Sequence, residues 1–541
     1  MKKQTPRMGE YDYVVLGAGA AGSIVAARLS EGGKHSVCVL EAGPSDLRPY
    51  VRIPAGFVKA LHQPRITWGF KTEPTERTVG RAIDTTQGRV VGGVGSINGM
   101  VYNRGHKEDF ALWEQMGNRG WGWEDVLPLF RRTEARIGPG TVEARGRDGG
   151  VPVTDMDWFH PVSESFVAAA QDCGLPLRPD YNDGGQNGVG YFQRTIQNGL
   201  RASSAAGVWA PALKRLNIRL LKDSTVQALT FDGLSCTGVR FRKCRGSERS
   251  VTARREVILS AGTVNTARLL QISGIGNPNL LKDLGVPVVH ALPGVGENLA
   301  DHYSARMVMR AKPGVVTLNE LARGPRLLRE IGRWAAGRPN ILSHAPSQVF
   351  MFTKSDPALD LPDTQCVFMP GSYKEGEHYA LDDYPGVTGG AWQHRPLSRG
   401  FVRATSRDPE VLPIVQPNYL EDPVDRHVMV KGMQFVREVL HTPRMAQWLD
   451  CETVSGPDVQ SDDEMLNFCQ RNGSTGYHLI GTAKLGPAAD PTAVVDDTLR
   501  VHGLEGLRVA DASIMPSMIS ANTYATSMMI GEKAADLVKA S

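Results

Sequence analysis

The feature that most constrains this chain is an N-terminal strand–helix–strand pattern. Residues 11–43 read YDYVVLGAGAAGSIVAARLSEGGKHSVCVLEAG. The β-branched run DYVVLG predicts a short buried strand, and AAGSIVAARLSEGG predicts a helix that stops at two glycines. SVCVLE predicts a second buried strand. The chain therefore opens with one βαβ unit, whose strands are parallel because a crossover helix connects them.

Three glycines and one acid make this unit a candidate dinucleotide site. Gly17, Gly19 and Gly22 give the spacing G-x-G-x-x-G between the first strand and the helix. They permit a tight turn, close approach of a pyrophosphate, and close helix–strand packing, in that order. The helix N-terminus offers unpaired N–H groups to phosphate. Glu41, at the tip of the second strand, can accept both hydroxyls of an adenosine ribose, so NADP is disfavoured while FAD and NAD both stay open.

Length and charge restrict the remaining possibilities. A chain of 541 residues exceeds the roughly 250–300 residues that one core can serve, so we expect at least two domains. The net charge of +4, without a dense Lys/Arg run, argues against a nucleic-acid partner. There is no signal-peptide pattern and no apolar run of 18 residues, so no transmembrane segment is expected. The predicted localisation is cytoplasmic, with membrane association possible only through the surface.

Cysteine and metal-ligand spacing point away from metal chemistry. The seven cysteines are scattered and none form C-x-x-C, which is typical of reduced thiols in a cytoplasmic enzyme. H-E-x-x-H is absent, and no cluster has the spacing of a metal site. G-x-S-x-G is absent too, which argues against a serine hydrolase. We expect no metal.

A second glycine-rich segment bears on the choice of cofactor. Residues 88–105 read GRVVGGVGSINGMVYNRG, with little charge and several interspersed apolar side chains. Such a loop suits backbone lying against a flat ligand, where larger side chains would clash. Its apolar residues indicate that it is buried rather than a mobile surface loop. They are Val90, Val91, Val94, Ile97 and Met100.

This loop resembles the first signature of the glucose–methanol–choline (GMC) oxidoreductases. Further blocks follow in the family's order: SAGTVNTARLLQISGIG (260–276), PGVGENLADH (293–302), YHLIGTAKLG (477–486) and LRVADASIMPSMISANTYATSMMIGEKAADLV (507–538). The likeness spans about residues 11–538. It looks closest to the bacterial branch of choline-dehydrogenase-like, alkanol and sorbose dehydrogenases. Departures from the pattern occur at Val94, Gly95 and Ala267.

The resemblance implies FAD, bound non-covalently. Some members carry a flavin-linked histidine at the position of Ile97, and isoleucine cannot form that bond. Asp511 follows a predicted strand, where it suits either a cofactor contact or a helix cap. Together with the N-terminal motif, the implied FAD contacts are Gly17, Gly19, Ala20, Ala21, Gly22, Glu41, Ala42, Trp68, Arg89, Val91, Gly92, Gly95, Asn98, Gly99, Met100, Val101, Val226, Ala261, Gly262, Asp511, Ala512, Asn522 and Thr523.

The implied fold class is α/β, with a discontinuous Rossmann-like FAD-binding domain and an α+β substrate domain. We assign residues 1–155, 222–312 and 470–541 to the first domain. Residues 156–221 and 313–469 form the second. Within the second, residues 349–355, 364–373, 390–406 and 413–420 predict strands of one antiparallel sheet, and 422–449 predicts helices that flank it.

The resemblance also names the catalytic residues. Oxidation of an alcohol requires loss of the hydroxyl proton together with hydride transfer, and a neutral histidine can accept that proton. His478 is implied as the base and Asn522 as a hydrogen-bond donor to the substrate oxygen. Tyr477, His344 and His394 are candidate substrate contacts. Ser347 and Gln348 stand near His344 where an acid would suit a quaternary ammonium, which argues against choline.

The predicted function is oxidation of a small-molecule alcohol, with electrons passed to a quinone, a cytochrome or another non-NAD acceptor. One alternative is an oxidase that uses O2 and produces H2O2. Others are a flavin-containing hydroxynitrile-lyase-like enzyme, an NAD-dependent dehydrogenase and a non-enzymatic flavin-binding module. The particular alcohol and the oligomeric state are left open by the sequence.

Overall fold

Two large sheets organise the computed structural model, which describes residues 9–244, 246–374 and 380–541. The first sheet is mixed, and its edge strand Ile218–Leu221 pairs in parallel with Val37–Leu40. Val37–Leu40 pairs in parallel with Glu10–Leu16, which pairs in parallel with Glu248–Leu259. Glu248–Leu259 also pairs in parallel with Leu507–Val509. Antiparallel strands extend its other side. In order, the sheet is Ile218–Leu221, Val37–Leu40, Glu10–Leu16, Glu248–Leu259, Ser235–Lys243 and Ser224–Asp232, with Leu507–Val509 beside Glu248–Leu259.

Two helices from opposite ends of the chain pack together against this sheet. Helix Ala20–Leu29 consists of small and aliphatic residues and is buried along almost its whole length. It lies against the last helix, Tyr524–Lys539. A Cβ at Gly531 would lie 2.7 Å from the carbonyl oxygen of Ala21, so only glycine permits this close approach. Helix Trp123–Thr133 packs against Tyr524–Lys539, and Lys107–Gln115 packs against Trp123–Thr133, whereas Thr263–Ile272 packs against the strand Ser224–Asp232.

The second sheet is antiparallel throughout. Its order is Leu449–Val454, Tyr303–Ala311, Gly386–Gln393, Thr364–Met369, Val349–Thr353 and Gly188–Tyr191, with Ser474–Thr475 also beside Tyr303–Ala311. One face packs on helices Pro161–Asp172, Pro423–Leu440 and Asp462–Asn472. Helix Pro423–Leu440 begins where the Asp422 carboxylate accepts the N–H of Val424 at 2.8 Å. This arrangement confirms the predicted fold class.

Two segments lie elsewhere than the sequence pattern predicts. Phe401–Arg403 and Ile414–Gln416 form a separate two-stranded sheet, so their assignment to the large antiparallel sheet was wrong. Their inward residues Val402 and Val415 pack with Trp68 and Leu299, which holds the hairpin beside the first sheet. Ile218–Leu221, within residues 156–221, belongs to the first sheet.

A buried ionic network joins the end of the glycine-rich segment to the chain just before the strand Gly188–Tyr191 of the second sheet. The side chains of Arg104, Glu134 and Arg145 are completely buried. Glu134 accepts from both arginines, and Arg145 also pairs with Asp180 at 2.8 Å. The network places one carboxylate between two guanidinium groups, so neither cation is left without a partner.

We expect Glu134→Gln to destabilise the protein by about 3–5 kcal/mol, because it leaves two buried cations facing each other without their shared anion. Chemical denaturation would measure the loss. Asp172→Asn, in the exposed pair with Arg444, is the control and should leave the midpoint nearly unchanged. Equal effects of the two substitutions would contradict this account.

Candidate active site

The first of two adjoining cavities lies where the parallel strands of the first sheet end. It has about 1200 Å³ of empty space, part of it open to solvent. The carboxyl ends of such strands are where ligands of open α/β sheets bind. Thirteen of the residues implied as FAD contacts line it: Gly17, Gly19, Ala20, Ala21, Glu41, Ala42, Trp68, Val226, Ala261, Gly262, Asp511, Ala512 and Thr523.

The backbone of this cavity is shaped for a ligand with phosphate groups. Gly17 has φ of +102°, and a Cβ there would lie 2.3 Å from the carbonyl oxygen of Ser260. Helix Ala20–Leu29 starts without a side-chain cap, which leaves its first N–H groups for an anion. A Cβ at Gly262 would meet no atom within 4 Å, so open space lies above this backbone. These features fit the pyrophosphate and flat ring of FAD.

Glu41 lines the cavity with both oxygens already engaged. Its Oε2 accepts the N–H of Ala18 at 2.9 Å, and its Oε1 accepts the N–H of Gly43 at 2.8 Å. Burial raises the pKa of this carboxyl to about 7, against the opposing effect of those two hydrogen bonds. Since a carboxylate has about four lone-pair positions, it can still accept from ribose hydroxyls.

Asp511 is both the cap of a short helix and a lining residue of the first cavity. Its carboxylate accepts the N–H of Ser513 at 2.8 Å and so caps the short helix Ala512–Ile514. It also accepts from the N–H of Gly262 at 2.9 Å and the hydroxyl of Thr266 at 2.6 Å. Burial raises the pKa of this carboxyl, opposed by these hydrogen bonds. Asp511 therefore fixes the Gly262 backbone and lines the cavity at once.

Several implied FAD contacts lie behind the cavity wall. The Arg89 guanidinium stacks 4.3 Å above the Trp68 ring, and Trp68 forms the wall. Gly22 packs against Gly17, where a Cβ would lie 2.1 Å from the Gly17 carbonyl oxygen. Gly95 packs against the Tyr524 ring. Val91 and Gly92 hydrogen-bond to the carbonyl groups of Pro44 and Ala18, respectively.

The second cavity, of about 1060 Å³, adjoins the first and shares Val94, Tyr477 and Thr523 with it. Asn98, Gly99, Met100 and Val101, also implied as FAD contacts, line this cavity instead of the first. Its other lining includes the aromatic residues Phe57, Phe192, Trp392 and Tyr524, the polar residues Ser304 and Arg306, and both implied catalytic residues, His478 and Asn522.

His478 and Asn522 are 44 residues apart in sequence and adjacent in space. The Asn522 Nδ2 lies 3.1 Å from the His478 Nε2. On the other side of the ring, the His478 Nδ1 lies 2.9 Å from the Nδ1 of His302. The His302 Nε2 lies 2.8 Å from the carbonyl oxygen of His394.

This chain of contacts fixes where the protons are. A carbonyl can only accept, so the His302 Nε2 carries a hydrogen and its Nδ1 is bare when the ring is neutral. The His478 Nδ1 must then donate to His302, which leaves the His478 Nε2 bare. That bare nitrogen accepts from the Asn522 amide. The geometry therefore presents an unprotonated Nε2 to the second cavity.

Burial keeps both imidazoles neutral. It lowers the pKa of His478 well below its usual range, and the neighbouring His302 lowers it further. Burial also lowers the pKa of His302 to about 4. At neutral pH the pair carries no positive charge.

Asp301 fixes the backbone of the turn that carries His478. Its carboxylate accepts the His478 N–H at 2.7 Å, the Thr475 hydroxyl at 2.5 Å and the Tyr419 hydroxyl at 2.5 Å. Burial raises the pKa of this carboxyl to about 6, against these hydrogen bonds. The adjacent Tyr477 has φ of +63°, a left-handed backbone conformation that this anchored turn imposes at the junction of the cavities.

Two of the candidate substrate contacts face elsewhere. His344 packs its ring edge-on against Trp158, and His394 holds His302 through its backbone carbonyl. Neither side chain is part of the described lining of either cavity. Tyr477 does lie at the cavity junction.

Sequence reasoning did not assign a catalytic or substrate role to Asp301, His302, Arg306 or Trp392. Asp301 and His302 stand at the end of the block PGVGENLADH, and the resemblance of that block to a family segment was the available sign of a role. No local pattern marks the other two, since only the pairing of their strands brings them to the cavity.

Within the described ranges, no group of three or more His, Cys, Asp or Glu side chains could hold a metal ion. None of the helices described there has the length and apolar character needed to cross a membrane.

The chain is similar to known proteins along almost its whole length. The chain matches the GMC oxidoreductase N-terminal model over residues 11–304 and the C-terminal model over residues 396–531. It is 36% identical over 529 residues to an alcohol dehydrogenase [acceptor] of Pseudomonas putida, which covers 98% of this chain and 95% of that protein. It is 37% identical over 527 residues to an oxygen-dependent choline dehydrogenase of Rhizobium rhizogenes, covering 97% and 95%.

A solved structure gives the same result. The crystal structure of pyridoxine 4-oxidase from Mesorbium loti superposes with a TM-score of 0.87 at 29% identity, covering 97% of this chain and 98% of that one. The two family models together match well over half of the chain. The chain therefore belongs to the GMC oxidoreductase family and is an FAD-dependent oxidoreductase.

Proposed function

We propose that this protein oxidises the CH–OH group of an alcohol to an aldehyde or ketone, with His478 as the base and Asn522 as hydrogen-bond donor. The observation that carries the proposal is the bare His478 Nε2, which faces a cavity that opens onto the cofactor cavity. The names of the relatives, an alcohol dehydrogenase and a choline dehydrogenase, support an alcohol as substrate.

FAD, when bound, supplies the acceptor for the hydride. We propose that the first sheet and its helices hold it through the Gly17 turn, Glu41 and the Gly262 backbone. Binding is non-covalent in this proposal, because Ile97 offers no nucleophile. The second sheet, with Tyr303–Ala311 and Gly386–Gln393, walls the substrate side.

The protein's part in the reaction is to take one proton at one atom. The substrate hydroxyl enters between Asn522 and His478, and the His478 Nε2 accepts its proton as the hydride leaves. The amide of Asn522 donates to the developing alkoxide oxygen. The imidazolium keeps its Nδ1–H bond to His302, so its ring does not turn.

For the electron acceptor, we propose a membrane quinone or a cytochrome, with O2 as the alternative. The relatives' names mention both an unspecified acceptor and oxygen, and the family assignment favours FAD over the NAD alternative. Peripheral contact with a membrane is supported by helix Gly324–Ala335, of which the described structure buries only Glu330.

This helix has the composition of a surface that meets anionic lipid. Residues 323–338 contain five arginines and a single acid, Glu330. Leu328 is 70% exposed and Ile331 40% exposed on its outer side. Basic residues beside exposed apolar ones favour the interface of an anionic membrane.

Removal of the base should stop reduction of the flavin without removing the flavin. We expect His478→Ala to retain FAD but to lose anaerobic bleaching by an alcohol by about 10²–10⁴-fold, since no other group takes the proton. His441→Ala, at an exposed helix end, is the control. Full reduction in the His478 variant would refute the assignment. A wild-type flavin that no alcohol reduces would favour the lyase alternative.

His302 should set both the rate and its pH dependence. Because the lowered pKa leaves the His478 Nε2 unprotonated, kcat/KM should be flat above neutral pH and fall only in acid. His302→Leu removes the acceptor for Nδ1–H, so kcat should drop at least about tenfold as the ring samples the wrong tautomer. The acid limb should move to higher pH, since His302 lowers the pKa of His478.

His302→Asn is the matched variant, because its side-chain oxygen can take the place of the Nδ1 acceptor. It should recover much of the loss. An unchanged pH profile in His302→Leu would show that the contact only supports the fold.

If helix Gly324–Ala335 contacts anionic membranes, we expect the protein to float with vesicles that contain phosphatidylglycerol and not with neutral vesicles. Reversing Arg326 and Arg329 to glutamate should abolish flotation, because both lie on the exposed helix. The same reversal of Arg240 and Arg249, on a distant strand pair, is the control. Equal flotation of the two double variants would contradict the proposal.

A further inference from the structure

Helix Lys107–Gln115 carries a buried carboxylate in its first turn. The side chain of Asp109 is completely buried, and it belongs to the described lining of neither cavity. Its Oδ2 accepts the N–H of His106 at 2.9 Å, which closes the start of the helix. The other contacts of this carboxylate reach two segments of the chain that are far away in sequence.

The first of these segments carries Asn522. The Asp109 Oδ2 also accepts the N–H of Ser520 at 2.9 Å and its hydroxyl at 2.5 Å. Ser520 lies two residues before Asn522, whose Nδ2 is 3.1 Å from the Nε2 of His478. The Gln186 Nε2 donates to the carbonyl of Ser520 at 2.8 Å. Asp109 and Gln186 therefore fix the backbone just before one partner of the His478 ring.

The second segment supports His302. The Asp109 Oδ1 accepts the Nε–H of Arg395 at 2.6 Å. Arg395 directly follows His394, and the carbonyl oxygen of His394 lies 2.8 Å from the His302 Nε2. Since His302 is the partner of the His478 Nδ1, Asp109 also fixes the backbone behind the opposite side of the His478 ring.

The contacts of Asp109 form a closed set. Its carboxylate accepts from the N–H of His106, from the N–H and hydroxyl of Ser520, and from Arg395. Arg395 also donates to the Ser520 hydroxyl at 3.2 Å, so the two segments contact each other beside the carboxylate. A carboxylate has about four lone-pair positions, and these donors fill them.

The charge of Asp109 acts on the histidine pair as well. Burial lowers the pKa of His302 to about 4, although its hydrogen bond to the His394 carbonyl and the charge of Asp109 both act to raise it. A negative charge in a buried site favours a proton on a nearby imidazole, because the effective dielectric constant is low there. Loss of the Asp109 charge should therefore lower the pKa of His302 further.

Other titratable and charged groups surround the two rings. One accepts from the backbone of the pair, one lines the second cavity, and the rest lie around the carbonyl that holds His302. They are Asp301, Arg306, His106, His394 and Arg395. Of these groups and Asp109, only Asp109 acts through its charge on His302 among the causes that set the pKa of that ring.

We propose that Asp109 is a positioning residue of the active site. It holds the segment of Asn522 and the segment behind His302 at a fixed separation, so that both nitrogens of the His478 ring keep their partners. Its charge also makes the protonated pair less costly to form. This inference rests on the proposed alcohol oxidation, to which it adds a residue outside both cavities.

Asp109→Asn tests the proposal, because it keeps the size of the side chain and removes the charge. An amide has one oxygen, so its NH2 group must face the donors of one segment or the other. In anaerobic flavin reduction by an alcohol, kcat should fall about 10–100-fold with little change in KM, since the ring loses its alignment while the cavity keeps its lining. The acid limb of kcat/KM should move to lower pH. An unchanged kcat, or an acid limb at the wild-type pH, would overturn the proposal.

Asp425→Asn is the matched control. Asp425 is also buried, and its carboxylate accepts the N–H groups of Leu397 and Ser398 at 2.8 Å each, two and three residues after Arg395. This substitution should lower the temperature of unfolding without moving the acid limb. Equal shifts of the acid limb in the two variants would show that any loosening of this segment is sufficient, and would overturn the role of Asp109.

A double variant covers the case in which Asp109→Asn does not retain FAD. Asp109→Asn with Arg395→Gln also removes the cation that would be left without its anion, which is the costly part of breaking a buried pair. The same fall in kcat and the same shift of the acid limb are expected. FAD content and thermal unfolding establish that each variant is folded, and wild-type kinetics in the folded double variant would contradict the proposal.

Crystal structures of the wild-type and Asp109→Asn holoenzymes separate this inference from the proposed reaction. In the variant, at least one contact of the His478 ring, 3.1 Å to Asn522 or 2.9 Å to His302, should lengthen beyond hydrogen-bonding distance. If no alcohol reduces the wild-type flavin but a contact is lost in the variant, the reaction is wrong and the positioning role stands. If an alcohol reduces the wild-type flavin and both contacts persist in the variant, the positioning role is wrong and the reaction stands.

Discussion

The hydrogen bond between the two Nδ1 atoms of His302 and His478 is the contact on which the arrangement of this site depends. Two imidazole nitrogens can share a hydrogen in either direction, but the carbonyl of His394 removes the choice, because it can only accept from His302. The bare nitrogen of His478 is thereby placed at the cavity. A main-chain oxygen just after the strand Gly386–Gln393 of the second sheet thus determines which ring nitrogen of His478 carries the hydrogen.

That turn is held in place mainly by one buried carboxylate. Asp301 accepts from the backbone of His478 and from two hydroxyls, and the strand that follows Asp301 and His302 runs into the second sheet. The same strand carries Arg306 to the cavity. The base and one wall of the second cavity are therefore connected through a single strand and the turn that Asp301 anchors.

The sequence was sufficient where the determinants are local. The Gly17 turn, the helix after it and Glu41 lie within one short segment, and the structure places them together at the cavity. His478 and Asn522 required the family resemblance, since nothing within either segment points to the other. The fold brings them together, because Asn522 lies between Leu507–Val509, a strand of the first sheet, and the last helix, Tyr524–Lys539.

The sequence does not show which residues of the strand Tyr303–Ala311 face the core and which face the second cavity. Almost every residue in it is at least partly buried, because one face meets helices and the other meets the cavity. Alternation of apolar and polar residues therefore does not separate the two faces. The prediction for Phe401–Arg403 and Ile414–Gln416 was wrong for a related reason. Their residues have ordinary strand character, and only packing against Trp68 and Leu299 places them in a small sheet of their own.

The low pKa of His478 has a further physical consequence. Burial makes the neutral base available at any pH near neutrality, but it also makes the imidazolium costly to form. Asp301 accepts from the backbone N–H of His478, whereas the two ring nitrogens contact His302 and Asn522. The burial that keeps the base free for proton transfer therefore also sets the cost of protonating it.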